Sequence, residues 1–228
     1  MDRTYDTNGG CIASAKREHS PMMNLADFRL LVSSSQRPVV LLEGRRFIPA
    51  ADERAARQFA ARLAREFRRL LFRSGNAEGS DEAFSAGVAD VDASRLQVVA
   101  PYPAHRKKVR YDDATYESPA ALSRVQEEAV VASTIAATPR NKALIDKRTA
   151  PGRLAAKAAY LIRDTMKVTG HSDDFPRPIC ALFYVDPTDP EAGGTGHTIR
   201  VCRQQSVPFA FQDAWARWFN EEKGFSDD

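Results

Sequence analysis

Short apolar runs alternate with amphipathic segments along most of the chain. Apolar runs predict buried strands over residues 38–46, 70–75, 96–102, 179–185 and 207–211. Amphipathic patterns between them predict helices over about 52–69, 80–88, 118–138 and 151–168. Strands that alternate with helices are typical of βαβ units. We therefore expect an α/β fold of Rossmann-like type, with a mainly parallel sheet and helices on both faces.

The same pattern predicts where the domain begins. Residues 1–36 show little periodicity apart from a short apolar stretch at 25–32, which predicts a loosely structured N-terminal arm with one short helix. Residues 37–228 are predicted to form a single domain ending in an amphipathic helix with Trp215, Trp218 and Phe219. This aromatic helix can pack on a partner chain as readily as on its own sheet, so the sequence does not decide whether the chain forms a homo-oligomer.

Composition narrows the class of protein. Hydrophobic residues make up 43% and charged residues 28%, as in ordinary globular proteins, and 33 Lys plus Arg against 30 Asp plus Glu leave a net charge of only +3. No apolar run approaches the roughly 18 residues of a membrane span. The first residues lack the apolar core of a signal peptide, so a cytoplasmic protein is expected. Cys11, Cys180 and Cys202 form no CxxC pair, and neither a metal nor a cofactor is predicted.

The loop at residues 189–198 is the first candidate for chemistry. It follows a predicted buried strand and precedes a helical segment at 199–205, so helix N–H groups face it. Its glycines permit close approach of an anion, and its threonines offer hydroxyl groups. A phosphate-binding loop is predicted, although a tight surface turn would use the same residues. The candidate ligand-binding residues are Gly193, Gly194, Thr195, Gly196, His197 and Thr198.

A second loop at residues 73–82 has the same arrangement of strand, small residues and helix. An alternative interpretation is a plain strand–helix connection in which Ser80 or Asp81 caps the helix. The candidate ligand-binding residues here are Ser74, Gly75, Asn76, Gly79 and Asp81. Supporting candidates are Gly44 and Arg45 after the first strand, where Arg45 can clamp a phosphate, and Arg140 and Asn141 after Pro139.

Together these segments resemble the SLOG superfamily, which includes cytokinin-activating phosphoribohydrolases and DNA-processing protein A. The likeness rests on Glu43-Gly-Arg45, on the Ser-Gly-x-Ala-x-Gly-x-Asp pattern at 74–81, and on Gly193-Gly-Thr-Gly-His-Thr198. An Arg-Asn pair like Arg140-Asn141 also occurs in some small members. The resemblance covers roughly residues 38–211. It implies a Rossmann-like fold that binds a nucleotide or a nucleotide-derived ligand across these loops.

The chain departs from the phosphoribohydrolase motif Pro-Gly-Gly-x-Gly-Thr-x-x-Glu, whose glutamate takes part in N-glycosidic cleavage. Here Ala192, His197 and Arg200 stand where the family has Pro, Thr and Glu. A phosphate cradle remains compatible with these residues, but the acid is missing. Candidate substitutes are Glu78, Glu82 and His197, of which His197 has the ordinary pKa best suited to proton transfer near neutrality.

Three functions follow, in order of preference. The first is a module that binds a phosphorylated nucleotide or nucleotide derivative. The second is an N-glycosidase acting on nucleoside monophosphates. The third is single-stranded DNA binding through the basic segment His105-Arg-Lys-Lys-Val-Arg110 and the neighbouring Tyr102 and Tyr111.

Overall fold

Residues 23–219 are described by the computed structural model, and they form one six-stranded sheet with helices packed against it. The strands are β1 (Val39–Gly44), β2 (Leu71–Ser74), β3 (Leu96–Val99), β4 (Thr115–Glu117), β5 (Cys180–Tyr184) and β6 (Phe209–Phe211). The α-helices are α1 (Leu25–Ser34), α2 (Ala50–Glu66), α3 (Ser80–Asp92), α4 (Arg124–Ala137), α5 (Lys142–Ile145), α6 (Arg153–Thr169), α7 (Gly193–Gln204) and α8 (Gln212–Trp215).

The strand order is β4-β3-β2-β1-β5-β6, and every neighbouring pair is parallel. The chain moves outward from β1 to β4 on one side, then returns to the centre and places β5 on the other side of β1. The strand order therefore reverses between β1 and β5. In open parallel sheets a crevice forms at the carboxyl ends of the strands at such a switch point, and ligands bind there.

Both faces of the sheet are covered. In β1, Val40 and Leu42 face one hydrophobic core while Leu41 faces another, because successive side chains of a strand point to opposite faces. Helices α1, α2, α3 and α8 supply residues to the first core, and α4, α6 and α7 cover the second face. All six residues of β1 are buried, which explains its uninterrupted apolar run.

The predicted fold class is confirmed: the sheet is wholly parallel and the architecture is Rossmann-like. Two differences from the sequence pattern concern the segments beyond β3. Thr115–Glu117 forms an edge strand that its short and polar sequence did not indicate. Helix α4 begins at Arg124 rather than at residue 118, because Ser123 and Gln126 form a capping box while Pro119–Ala121 makes a separate 3₁₀ turn.

The aromatic C-terminal segment packs on its own sheet. Trp215 donates a hydrogen bond from Nε1 to the Phe183 carbonyl at 3.0 Å, and its ring centroid lies 4.5 Å from that of Phe59. Trp218 packs on Phe28 of α1 with ring centroids 5.0 Å apart. Residues 1–22 of the predicted arm lie outside the described residues, but α1 belongs to the core because Phe28 is completely buried.

Within residues 23–219, no helix is both long and apolar enough to cross a lipid bilayer.

Trp215→Ala should lower the free energy of unfolding by about 3–5 kcal/mol, since it removes a buried indole and its hydrogen bond to the Phe183 carbonyl. Chemical denaturation of variant and wild type measures the difference. Val125→Ala is the matched control, because Val125 is 76% exposed and its truncation should change stability by no more than about 0.5 kcal/mol. A loss below about 1 kcal/mol for Trp215→Ala would contradict a structural role for this segment.

Candidate functional site

A cavity of about 740 Å³ opens at the switch point between β1 and β5. Its walls come from the end of β1, the loops after β1 and β2, the helices α5 and α6, and the first turn of α7. The lining residues are Glu43, Gly44, Arg45, Arg46, Phe47, Ala77, Asp81, Leu144, Lys157, Tyr160, Leu161, Arg163, Asp164, Ala192, Gly193, Gly194 and Thr195.

The floor of the cavity is a buried cluster of charges. Lys167 on α6 is completely buried, and its Nζ lies 2.7 Å from Oε2 of Glu43 and 3.0 Å from Oδ1 of Asp164. Arg163 contacts the same Asp164 oxygen through Nε at 2.9 Å. The spacings from Lys167 of three residues to Asp164 and four to Arg163 place all three side chains on one face of α6.

Asp81 joins the floor from the start of α3. Its two carboxylate oxygens accept the backbone N–H groups of Gly44 and Gly75, each at 3.1 Å, and so tie together the ends of β1 and β2. Arg163 donates to the Gly75 carbonyl. A Cβ atom at residue 75 would lie 2.5 Å from the Arg163 guanidinium, so only glycine lets the loop approach the cluster this closely.

The cluster contains three carboxylates, Glu43, Asp81 and Asp164, but only two cations, Arg163 and Lys167. Burial raises the pKa of Glu43 to about 7; Lys167 opposes this effect, while Asp164 and Asp81 add to it. Burial also favours a higher pKa for Asp164, but the attraction of Arg163 and Lys167 outweighs it, so the pKa of Asp164 is lowered. Burial also raises the pKa of Asp81, while Lys167 and Arg163 oppose this effect. Glu43 therefore gains or loses its proton near neutral pH, whereas Asp164 stays ionised.

The rim of the cavity differs in charge from the floor. Arg45, Arg46 and Lys157 are exposed there; Arg45 pairs with Asp186 at 3.1 Å, and Arg46 and Lys157 add positive charge. Gly193 and Gly194 form the first turn of α7, where helix N–H groups have no partner within the helix and the dipole is positive. Gly193 has φ +60°, and a Cβ atom there would meet open space, so its backbone faces the opening.

The structure brings six of the predicted site residues to the cavity: Gly44, Arg45, Asp81, Gly193, Gly194 and Thr195. Residues 193–198 of the predicted loop at 189–198 are helical, because α7 begins at Gly193 rather than at residue 199. Thr198 lies behind the wall and donates a hydrogen bond to Oε1 of Glu43 at 2.9 Å. Ser74, Gly75, Asn76, Gly79 and Gly196 hold the surrounding backbone and are not part of the lining.

His197 points away from the cavity into the layer between α4, α6 and α7. Its Nδ1 lies 2.8 Å from Oγ1 of Thr138 and its Nε2 lies 3.0 Å from Oγ1 of Thr165. Burial lowers the pKa of His197 to about 4, so the imidazole is neutral at physiological pH. In this arrangement both ring nitrogens are occupied by threonine hydroxyls, and the side chain joins three helices.

The other candidate residues lie away from the lining. Glu82 pairs with Arg106 at 2.8 Å, and Glu78 is exposed on the loop after β2. Arg140 and Asn141 belong to a short 3₁₀ turn after α4, where Arg140 is exposed. Neither pair lines the cavity.

The basic segment proposed for DNA is separate from the cavity lining. Lys107 and Lys108 are exposed in a 3₁₀ turn, whereas His105 is buried against Tyr160. Arg110 packs on the Tyr116 ring, with its guanidinium carbon 4.4 Å from the ring centroid, and donates to the Pro103 carbonyl. Only part of the basic run is therefore presented to solvent.

No protein-family model, curated protein or solved structure matches this chain. The resemblance to the SLOG superfamily stays a prediction from the residues. Among the described residues, no group of three or more His, Cys, Asp or Glu side chains is arranged to hold a metal ion.

The sequence pattern did not point to the charges on α6. Helix α6 contains a stretch, residues 162–168, in which every residue is buried, and this stretch includes Arg163, Asp164 and Lys167. The helix is therefore enclosed on all sides there. Charged residues on an amphipathic helix are usually solvated, and the pattern alone predicts that outcome. The spacing of Arg163, Asp164 and Lys167 was the available signal, but it does not reveal the partner Glu43 on β1.

The substitution Glu43→Gln tests whether the pKa of the Glu43 carboxyl group is raised in the folded protein. Because the folded protein binds the Glu43 proton more tightly than the unfolded chain does, wild-type stability falls as pH rises from the ordinary pKa of 4.5 to about 7. The variant lacks this loss. Its stability relative to wild type should therefore improve by up to about 3 kcal/mol over that interval.

Denaturation of both proteins between pH 4.5 and 7.5 measures this difference. Taking the difference cancels groups that lie outside the cluster, including His197, whose lowered pKa acts in the opposite direction. A difference that does not change with pH would show that Glu43 titrates normally.

Proposed function

We propose that this protein binds a phosphorylated nucleotide or nucleotide-derived small molecule in the cavity between β1 and β5. The observation that carries the proposal is the polarity of the cavity. Its rim combines exposed positive side chains with the N-terminus of α7. Its floor carries buried carboxyl groups, which can accept hydrogen bonds from hydroxyl or amino groups of a ligand. A ligand with an anionic end and an uncharged polar body fits this distribution.

Electrostatics favours the rim as the position of the anionic end. Asp164 lies close to Gly194: a Cβ atom added to Gly194 would be 3.1 Å from Oδ2 of Asp164. A phosphate on the inner side of Gly194 would therefore be repelled by an ionised carboxylate. On the outer side Gly193, Arg45 and Arg46 supply N–H groups and positive charge. These charges support a phosphate position on the outer side of the first turn of α7.

The size and apolar walls of the cavity favour a nucleotide over free phosphate. Its volume falls within the roughly 300–1,000 Å³ typical of small-molecule sites. Leu144, Leu161 and Tyr160 provide apolar and aromatic surface, and Phe47 is 83% exposed beside the opening. A planar base can bury against such surface, which gives an exposed aromatic side chain a role.

Arg46→Glu tests this assignment. Arg46 lies over the Tyr160 ring at 5.6 Å and is exposed, so charge reversal should leave the fold intact while it repels a phosphate. Affinity for the bound compound should fall at least about tenfold. Arg68→Glu is the control with the same change of charge. Arg68 is exposed just before β2, at the amino ends of the strands and away from the cavity, so affinity should be unchanged.

The measurement is thermal unfolding with nucleoside mono-, di- and triphosphates, nucleotide sugars and cyclic nucleotides at fixed salt. A compound at about 100 times its Kd should add roughly 2.7 kcal/mol of stability, which corresponds to several degrees for a domain of this size. A flat panel, or an equal shift in the Arg46→Glu variant, would overturn the proposal.

Hydrolysis of an N-glycosidic bond is the second candidate, favoured by the two carboxyl groups at the floor. Glu43 and Asp164 share Lys167 but have pKa values shifted in opposite directions, the pattern of an acid and a base at one site. Glu43 would protonate the leaving base and Asp164 would deprotonate the attacking water.

Incubation with nucleoside monophosphates should then release one free base and one ribose phosphate for each water consumed. Chromatography of the products measures both, and release should be lost in Glu43→Gln. The absence of free base after prolonged incubation with any compound that binds would leave the protein as a binding module.

A further inference from the structure

Asp164 has one carboxylate oxygen that the protein itself does not use. Its Oδ1 faces both cations, with Arg163 Nε at 2.9 Å and Lys167 Nζ at 3.0 Å. Its Oδ2 is directed toward Gly194 at the cavity wall. Among the described residues, no hydrogen bond reaches Oδ2, although only 2% of the residue is exposed.

The other two carboxylates at the floor are fully engaged. Glu43 receives the Thr198 hydroxyl on Oε1 at 2.9 Å and pairs with Lys167 through Oε2. Asp81 accepts one backbone N–H on each oxygen. Asp164 therefore offers the acceptor of the floor that is open to a ligand from the cavity side.

We propose that Asp164 Oδ2 accepts a hydroxyl group of the ligand's ribose, so that the cavity selects ribonucleotides over deoxynucleotides. This inference rests on the proposed function and adds the orientation of the ligand. The phosphate lies outside the first turn of α7, and the sugar lies inside it against Asp164. Carboxylates suit this task because they accept hydroxyl hydrogen bonds strongly and donate none when ionised.

Other partners for Oδ2 fit the cluster less well. A phosphate oxygen is repelled, because Asp164 is held ionised by Arg163 and Lys167. A metal ion would need several carboxylates converging on one vacant position, whereas here Lys167 already lies between Glu43 and Asp164. An ammonium group would add a third buried cation beside Arg163 and Lys167, which already face this carboxylate. A neutral donor such as a hydroxyl changes no charge.

A ligand that lacks the hydroxyl covers Oδ2, shields it from water and gives it no donor. Sites built around a buried charged acceptor reject such analogues strongly, so affinity should fall about ten- to a hundredfold. The ratio of Kd values for deoxy and ribo compounds is the quantity to measure, because differences in protein stability cancel in it.

The experiment uses the full chain and isothermal titration calorimetry. The probes are the four ribonucleoside 5′-monophosphates with their 2′-deoxy and 3′-deoxy counterparts, ribose 5-phosphate, 2-deoxyribose 5-phosphate and inorganic phosphate. We expect the ribo compounds to bind more tightly than at least one deoxy series, by about tenfold or more. Equal affinities for the ribo compound and both deoxy compounds would overturn the inference.

Asp164→Asn should reduce that ratio to below about threefold, since an amide is a weaker acceptor than a carboxylate and can turn its N–H₂ toward the ligand. The variant should fold, because two carboxylates then face two cations. Asp113→Asn is the control, an exposed aspartate that should retain the full ratio. Unchanged selectivity in Asp164→Asn would also overturn the inference, and if that variant does not fold, the wild-type ratios decide.

The two proposals fail in different ways. If no phosphorylated compound binds, the proposed function is wrong and the inference falls with it. If phosphorylated compounds bind with no preference for ribose, the proposed function stands and the role of Asp164 alone is wrong.

Discussion

Lys167 holds the switch point of the sheet together. Its ammonium group lies in a completely buried position and joins Glu43 at the end of β1 to Asp164 on its own helix. A buried ammonium is costly unless it is paired, so this contact determines how close α6 lies to the carboxyl edge. Asp81 extends the same network to the ends of β1 and β2. The loops around the cavity are positioned by this cluster, and its one extra carboxylate gives the floor an acidic character.

The small residues after β2 were predicted to bind a phosphate, but in the structure they mainly contact other parts of the protein. Gly75 and Asp81 bind backbone and charged side chains of the protein, and they form the support of the cavity. Asp81 alone of this loop's candidates reaches the lining. A loop with phosphate-type composition can thus serve mainly to let a helix and a strand approach a buried charge, with the anion-facing surface supplied by another loop, here the first turn of α7.

The separation of charge within the cavity links these contacts to function. Positive groups at the rim are exposed and can exchange water for an anion, while the carboxylates behind them are held by buried partners. Burial raises the pKa of Glu43 and the two cations lower that of Asp164, so these neighbouring acids lose their protons in different pH ranges. Such a floor suits both recognition of hydroxyl groups and proton transfer, which is why binding and turnover must be measured separately.

The order of apolar and amphipathic segments was sufficient to predict the parallel α/β fold. It also indicated that the loops after the strands, including those at 73–82 and 189–198, are where a ligand would bind, since ligands of parallel sheets lie at the carboxyl ends of the strands. The tertiary structure alone decided which side chains form the floor, because Glu43 and Lys167 are far apart in the chain and no local period records their contact. It also decided that His197 bonds to Thr138 and Thr165, since the rotation of α7 determines which of its residues face the core. Periodicity reports burial, whereas pairing between buried charges depends on how helices and strands pack in three dimensions.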